Sequence, residues 1–118
     1  MEAFDVLGDP VRRRILELLA GDERPAGDVV AVIQDEFGLT QPAVSRHLRV
    51  LRESGFATVR PEGARRLYVI DAAGLEGAEG WLSDLRAQWS QRLDALGTEL
   101  ARGKRARRGK PPAKGHTP

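Results

Sequence analysis

Cysteine is absent from the 118-residue sequence. Without thiols the chain can form no disulfide framework, no thiolate metal site and no cysteine nucleophile, and cysteine usage leaves the redox compartment undetermined. Long apolar runs are also absent, because no stretch approaches the roughly 18 consecutive apolar residues of a membrane span. Residues 1–5 lack the basic start and apolar run of a signal peptide. We therefore expect a cytoplasmic protein that has no membrane partner.

Residue patterns that support catalysis or metal binding are equally scarce. The only histidines are His47 and His116. No convergent set of acids, bases and nucleophiles is apparent, and neither is a phosphate-cradling glycine motif. The sequence thus predicts no enzymatic activity, no catalytic residue, no metal ligand and no cofactor. For His47 we expect packing or a place at a binding surface rather than metal coordination.

Charge is unevenly distributed along the chain, whose net charge is +2. Residues 101–118 carry seven cations and no acid, which leaves a net charge of −5 for residues 1–100. Within that acidic part, residues 40–66 hold six arginines against two glutamates, a local charge of +4. A basic patch on an acidic domain is typical of nucleic-acid binding, because the patch neutralises phosphates while the remaining surface discourages wrong orientations.

The basic patch begins with the segment at residues 39–51, LTQPAVSRHLRVL, which predicts a helix that starts after Thr40 and runs for roughly four turns. Thr40 suits the N-cap, since its hydroxyl can accept a hydrogen bond from a free backbone N–H of the first turn. Pro42 suits the first turn, where no N–H partner is required. Gly55 is predicted to be the left-handed residue that ends the helix.

The two faces of this helix differ in character. Apolar residues at helical spacing form one stripe: Val44, Leu48 and Leu51. The opposite face is polar and cationic, and it comprises Gln41, Pro42, Ser45, Arg46 and Arg49. Basic faces of amphipathic helices are usually solvated surface, so the helix alone does not decide whether this face binds a partner.

The neighbouring segments favour a binding function. Upstream, residues 28–37 are predicted to form a short helix that ends at Gly38 and leaves only a tight connection, which is the helix-turn-helix arrangement. Downstream, the β-prone runs 56–60 and 66–70 flank a glycine-containing loop at residues 61–65 and predict a hairpin. The hairpin carries three arginines, Arg60, Arg65 and Arg66. A basic hairpin after such a helix is a wing.

The motif QPAVSRHLRVL at residues 41–51, followed by Gly55 and by RRLY at residues 65–68, resembles the ArsR-type bacterial transcriptional repressors. The similarity includes LGDPVRRRIL at residues 7–16 and extends over residues 1–100. This resemblance implies a dimeric winged helix-turn-helix protein that binds an operator in double-stranded DNA and represses transcription. The symmetry of such a homodimer predicts a palindromic operator.

The expected fold class is mainly α with a small β-hairpin, dimerised through terminal helices. A long amphipathic helix is predicted over residues 75–101. Its apolar stripe is the expected dimer interface: Leu82, Leu85, Trp89, Leu93 and Leu96. The alternative is that this helix folds back as a core helix of the monomer. Residues 1–101 would form the DNA-binding and dimerisation domain, and residues 102–118 a disordered basic tail.

Roles for the cationic residues follow from helix-turn-helix geometry. Gln41, Ser45 and Arg46 lie in the N-terminal half of the helix, the part that helix-turn-helix proteins insert into the major groove, so we expect them to reach base edges. Arg49 should lie nearer the phosphates. In the wing, Arg65 is best placed to reach the minor groove or its phosphates, and Arg66 either contacts DNA or supports the wing.

The first helix of the pair departs from the family pattern. It looks about four residues longer around residues 32–36, close to one turn. The insertion brings Asp35 and Glu36 near the DNA-proximal side, where carboxylates would repel phosphate unless they point away. The arginine triplet at residues 12–14 is expected to pair with acids more than to contact DNA.

Many family members sense metals, through thiolates on the helix before the recognition helix or through histidine and carboxylate ligands on the terminal helix. Neither set can be placed here, so the chain resembles the metal-independent branch. Two alternatives stay open: a repressor that responds to a small molecule or to a metal held by carboxylates, and a winged-helix module that binds another protein.

Overall fold

The computed structural model describes residues 2–108, with side chains through residue 103. The helices and strands, in chain order, are α1 (Ala3–Leu7), α2 (Pro10–Gly21), β1 (Arg24–Pro25), α3 (Ala26–Phe37), α4 (Gln41–Glu53), β2 (Ala57–Glu62), β3 (Arg65–Ile70) and α5 (Ala72–Arg108). The described part of the chain divides into two compact units, one that ends at Gly80 and one that begins at Trp81. The fold is mainly helical with a small antiparallel sheet, as expected.

Helix α2 begins where the sequence predicts it. Asp9 is the N-cap, and its Oδ1 accepts hydrogen bonds from the backbone N–H groups of Val11 at 2.8 Å and Arg12 at 3.2 Å. Pro10 occupies the first helical position, where its missing N–H costs nothing. These local features make the start of α2 predictable from the sequence alone.

Helices α3 and α4 form the predicted helix-turn-helix. Gly38 ends α3 with φ of 67°, a left-handed conformation that favours glycine. Thr40 caps α4, because its Oγ1 accepts a hydrogen bond from the Ala43 backbone N–H at 3.3 Å. The left-handed conformation expected of Gly55 is also present, with φ of 81°. Helix α3 starts at Ala26, two residues before the expected start at Asp28.

The sheet contains one strand more than the predicted hairpin. Its order is β1-β3-β2 with antiparallel pairing throughout, and the two residues of β1 pair with Tyr68 and Leu67 of β3. A strand of two residues has no alternating pattern, so the sequence gives no signal for it. The predicted loop at 61–65 was also too long, because Glu62 pairs with Arg65 and only two residues form the turn.

The core of residues 1–80 is apolar and lies between the helices and the sheet. Its largest fully buried side chains are Phe56, Ile15, Ile33, Leu51, Val6, Val29 and Val44. Burial of one such aliphatic or aromatic side chain contributes about 1.5–3 kcal/mol. The predicted apolar stripe of α4 is confirmed, since Val44, Leu48 and Leu51 are all buried. The opposite face of α4 is thereby directed outward.

Helix α5 differs from its predicted bounds at both ends. It begins at Ala72 rather than residue 75, because Asp71 Oδ1 accepts a hydrogen bond from the Ala73 backbone N–H at 3.0 Å. It continues past residue 101 to Arg108, through a part of the tail that was expected to be disordered. Alanine, arginine and lysine are strong helix formers, and cations near a helix C-terminus are favourable. The rest of that tail, residues 109–118, lies outside the described residues.

The expected dimer residues of α5 form an exposed apolar stripe. Relative exposures range from 38% to 56%, for Leu82, Leu85, Trp89, Leu93 and Leu96. Within residues 2–108, no helix combines the length and the apolar character needed to cross a membrane.

Candidate nucleic-acid interface

The outward face of α4 presents two cations. Arg46 and Arg49 are exposed. Within residues 2–103, neither guanidinium takes part in a hydrogen bond or an ion pair with the rest of the chain. An arginine whose five donors are unengaged can bind a phosphate or a base edge without first breaking an internal contact.

Gln41 and Ser45 lie on the same face, one turn apart, and are joined by a hydrogen bond. Gln41 Nε2 donates to Ser45 Oγ at 2.8 Å. The Gln41 side chain is thereby oriented while its carbonyl oxygen and its second amide hydrogen remain available. An acceptor and a donor side by side match the N6 and N7 positions of adenine in the major groove. Pro42, also exposed, begins the same face.

A small cavity of about 210 Å³ adjoins this face and separates α4 from the start of α3 and the wing. It is lined by Ala26, Gly27, Val30, Gln41, Ser45, Leu48 and Tyr68. Since Tyr68 belongs to β3, the base of the wing lies beside the N-terminal half of α4. The recognition face and the wing are thus neighbouring parts of one surface.

Two of the three wing arginines are engaged in ion pairs. Arg60 pairs with Glu23, the residue just before β1, and its Nη2 lies 3.9 Å from Glu62 Oε2. Arg65 Nη2 lies 2.7 Å from Glu62 Oε1. Arg66 makes no side-chain hydrogen bond or ion pair within residues 2–103. The sequence favoured Arg65 as the DNA-contacting arginine of the wing, whereas the guanidinium without an internal partner belongs to Arg66.

The arginine triplet of α2 behaves differently at each position. Arg14 forms a two-point ion pair with Glu36, as expected of pairing with acids. Arg13 Nη1 instead donates to the Leu7 backbone carbonyl at 2.6 Å. Arg12 also binds mainly to carbonyl oxygens. Pairing with acids is therefore confirmed for Arg14, whereas Arg12 Nη1 lies 3.9 Å from Asp9 Oδ2 and Arg13 makes no ion pair within residues 2–103.

Arg12 joins α1, α2 and α4. Its Nε donates to the Val6 carbonyl at 3.0 Å and its Nη2 to the Asp5 carbonyl at 2.9 Å. Its Nη1 lies 3.3 Å from Nδ1 of His47, in the recognition helix. A guanidinium can only donate, so Nδ1 of His47 is the acceptor and carries no proton. His47 thus contacts α2; the sequence had left open whether it packs within the domain or lies at a binding surface.

Two pKa values around this contact are shifted. Burial lowers the pKa of His47, the charge of Asp9 opposes that shift, and the charges of Arg12 and Arg46 reinforce it. Burial alone would raise the pKa of Asp9, but hydrogen bonds from the Arg12 and Val11 backbone N–H groups outweigh burial and lower it. His47 is therefore held neutral beside an ionised carboxylate.

The sequence did not predict some of the side-chain contacts at this interface. Glu23 and Arg60 are 37 positions apart, and Arg12 and His47 are 35 positions apart, so no periodicity links them. Glu62 and Arg65 are three positions apart across a turn, and that spacing could have indicated their ion pair. For metals, no group of three or more histidine, cysteine or carboxylate side chains with the arrangement of a binding site occurs in the described part of the chain.

An amphipathic recognition helix after a tight turn, beside a basic hairpin, defines a winged helix-turn-helix module of the DNA-binding class. The helix-turn-helix domain family matches residues 7–60. The transcriptional repressor SdpR of Bacillus subtilis is 29% identical over 79 residues, which cover 67% of this chain and 83% of that repressor. The HTH-type transcriptional regulator Rv2034 of Mycobacterium tuberculosis is 34% identical over 91 residues, which cover 77% and 78% of the two chains.

A solved structure shows the same fold. It is the homodimeric winged helix-turn-helix DNA-binding domain of Mb0332 from Mycobacterium bovis, a possible ArsR-family transcriptional regulator. The TM-score is 0.51 at 24% identity, over 79% of this chain and 80% of that one. The crystal structure of the ArsR family transcriptional regulator RHA00566 matches with a TM-score of 0.63 at 25% identity, over 75% of this chain and 87% of that one. The chain belongs to the ArsR-type family of winged helix-turn-helix transcriptional regulators. It is a DNA-binding regulator and not an enzyme.

Proposed function

We propose that this protein is a homodimeric repressor that binds a palindromic operator sequence-specifically. The observation that carries the proposal is the outward face of α4, where unpaired Arg46 and Arg49 flank the oriented Gln41–Ser45 pair. Repression is supported by the relative named a transcriptional repressor in Bacillus subtilis. A cytoplasmic location accords with that function.

Residues in the N-terminal half of α4 contact the DNA bases. Gln41 offers its acceptor–donor edge to adenine, with Ser45 holding the amide in place. Arg46 offers a guanidinium that can bind guanine O6 and N7 in bidentate fashion. Pro42 lies between them at the groove wall, and Arg49, one turn from Ser45, contacts phosphate. These roles divide the face into residues that specify sequence and one that positions the helix.

The wing supplies sequence-independent affinity. Arg60, Arg65 and Arg66 are all exposed cations of the hairpin, and phosphate contacts by such residues fix register without reading bases. Arg66 can engage phosphate directly, whereas Arg60 must exchange the Glu23 carboxylate, and Arg65 the Glu62 carboxylate, for a phosphate. The first contact of the wing is therefore assigned to Arg66.

Dimerisation is assigned to the apolar stripe of α5. Leu82, Leu85 and Trp89, together with Arg86, line a shallow groove of about 460 Å³, and Leu93 and Leu96 continue the stripe. A contiguous exposed apolar surface of this kind marks an association site, and a second copy of the same helix supplies a self-complementary apolar partner. The homodimeric Mycobacterium bovis neighbour has the same fold.

Two-fold symmetry determines the form of the operator. In helix-turn-helix dimers the two recognition helices enter successive major grooves about 34 Å apart. The expected site is an imperfect palindrome with half-sites about one turn of DNA apart. Because the sequence has no cysteine, and its two histidines are His47 and His116, we propose that DNA binding needs no Cys/His metal site and no cofactor.

The test is selection of bound fragments from a genomic library, followed by gel shifts on the enriched sequence with and without a chelator. The proposal predicts one enriched palindrome and chelator-independent binding. As a control, the Arg46→Ala/Arg49→Ala double variant should retain its fold and lose the enrichment. Binding that depends on a metal would favour the carboxylate-metal sensor, and absence of any enriched site would favour the protein-interaction module.

A further inference from the structure

Arg12 connects the recognition helix to the N-terminal corner of the domain. Its side chain is only 13% exposed, and its guanidinium contacts carbonyl oxygens of α1 and the His47 ring of α4. The guanidinium is rigid and planar, so two contacts to α1 fix the direction of the third contact. The Arg12 side chain thus fixes the position of His47 relative to α1.

His47 occupies the flank of α4 that lies opposite Gln41 across the buried stripe. The core residues Val44 and Leu48 hold the helix against the domain, but apolar contacts do not restrain rotation about the helix axis as sharply as a directional hydrogen bond does. The side chains of a binding site must be held within about 0.5 Å of the positions in which they contact the ligand. The Arg12–His47 contact on one flank of α4 therefore determines the direction in which the base-reading residues on the opposite flank, beginning with Gln41, point.

We propose that Arg12 is a positioning residue for DNA reading, which holds α4 through the unprotonated Nδ1 of His47 and releases it when that nitrogen takes a proton. This inference rests on the proposed function of α4 as the base-reading helix. A protonated Nδ1 cannot accept from Arg12. The ring then carries a charge that faces the cations Arg12 and Arg46, with Asp9 as the opposing acid.

Sequence discrimination in acid should consequently weaken. Burial and the two arginines lower the pKa of His47 from its ordinary value of 6.5, so the contact is intact at neutral pH. As the pH falls below that value and through the lowered pKa, the ratio of specific to non-specific affinity should fall. Contacts to phosphate persist, because arginine stays protonated throughout.

The experiment compares Arg12→Lys with Arg13→Lys. Both changes keep the charge on α2 and remove a guanidinium that binds an α1 carbonyl, but only Arg12 contacts His47. Affinities for the selected operator and for a scrambled duplex are measured by fluorescence anisotropy. Arg12→Lys should lower their ratio about three- to tenfold, the factor expected for one hydrogen bond, and Arg13→Lys should leave it unchanged.

A pH series on His47→Gln completes the test. Because glutamine does not titrate, whatever ratio this variant has at neutral pH should not fall in acid, whereas the wild-type ratio should. A long-range proton–nitrogen NMR correlation should identify Nδ1 of His47 as the unprotonated ring nitrogen. Assignment is simple, because His116 is the only other histidine.

The outcomes distinguish failure of the positioning role of Arg12 from failure of the proposed DNA-binding function. Equal ratios for wild type, Arg12→Lys and Arg13→Lys, with only their unfolding temperatures changed, would make Arg12 a merely structural residue and overturn this inference alone. A protonated Nδ1 at neutral pH would also overturn it. A wild-type chain that discriminates no DNA sequence would overturn the proposed function, and the positioning role with it.

Discussion

Arg14 of α2 and Glu36 in the last turn of α3 form a two-point ion pair, with Nε to Oε1 at 2.8 Å and Nη2 to Oε2 at 3.0 Å. The hydrogen bonds from Arg14 lower the pKa of Glu36, which keeps the carboxylate ionised and engaged. Glu36, which the sequence placed near the DNA-proximal side, is therefore not a free charge that would repel phosphate. Its carboxylate instead ties α3 to α2.

Arg46 provides the first prediction. Arg46→Ala should cost on the order of 1–3 kcal/mol of operator binding and relax base preference at one symmetric pair of positions, because a bidentate guanine contact is lost. Arg49→Ala is the control and should weaken binding to all sequences alike. Selection of bound sequences measures both effects. An Arg46→Ala protein with the affinity and base preference of wild type would contradict the assignment.

The dimer interface provides the second prediction. Trp89→Glu together with Leu93→Glu should yield monomers that bind operator poorly, because two carboxylates would be buried in the apolar contact. Ala87→Glu with Gln91→Glu adds the same charge at the same spacing on the opposite face of α5 and should leave the dimer intact. Analytical ultracentrifugation distinguishes the species. If the Trp89 and Leu93 variant still sediments as a dimer, the interface lies elsewhere.

The wing provides the third prediction. Glu62→Gln should tighten binding to every DNA and steepen the slope of log affinity against log salt by about 0.9, since Arg65 becomes free for one phosphate contact while Arg60 keeps its ion pair with Glu23. Glu53→Gln removes a carboxylate from the same basic patch where no ion pair is broken. Anisotropy titrations over a salt series provide the comparison. Equal effects of the two changes would mean that general charge, rather than release of Arg65, is responsible.

The C-terminal charge provides the fourth prediction. Deletion of residues 103–118 removes six cations and should make the salt slope shallower while leaving the ratio of specific to non-specific binding largely intact. A truncation after Arg108 removes only Lys110 and Lys114 and should have a smaller effect. An unchanged slope for the longer deletion would mean that the tail does not contact DNA. Its charge would then serve solubility or bind another acidic partner.

The stability of the protein should depend on His47 in mild acid. Its pKa is lowered by burial in the native state, so the unfolded chain takes up the proton first. The free energy of unfolding should fall as the pH drops from about 6.5 toward the native pKa, and level off below it. Denaturant melts across this range should show the decline in wild type and in His116→Gln but not in His47→Gln. The pKa of Asp9 is lowered from 3.8, so its contribution is lost only at lower pH.

The sequence by itself determined the recognition helix and its two faces. The Thr40 cap, the Gly38 turn and the stripe of Val44, Leu48 and Leu51 are all local features, because caps and helical periodicity act over a few residues. The same holds for the start of α2 at Asp9. Family membership could also be predicted from these short, ordered motifs.

Only the tertiary structure decided which cations are free to bind DNA. Arg12 with His47, Arg14 with Glu36 and Arg60 with Glu23 are pairs separated by 35, 22 and 37 positions. These residues come together only because α1 to α4 pack against the sheet, so local sequence patterns do not predict the pairs. The pairing of β1 with β3 arose in the same way. Distance in space, set by the shared core, determined whether each arginine of the basic region remained available or was engaged within the fold.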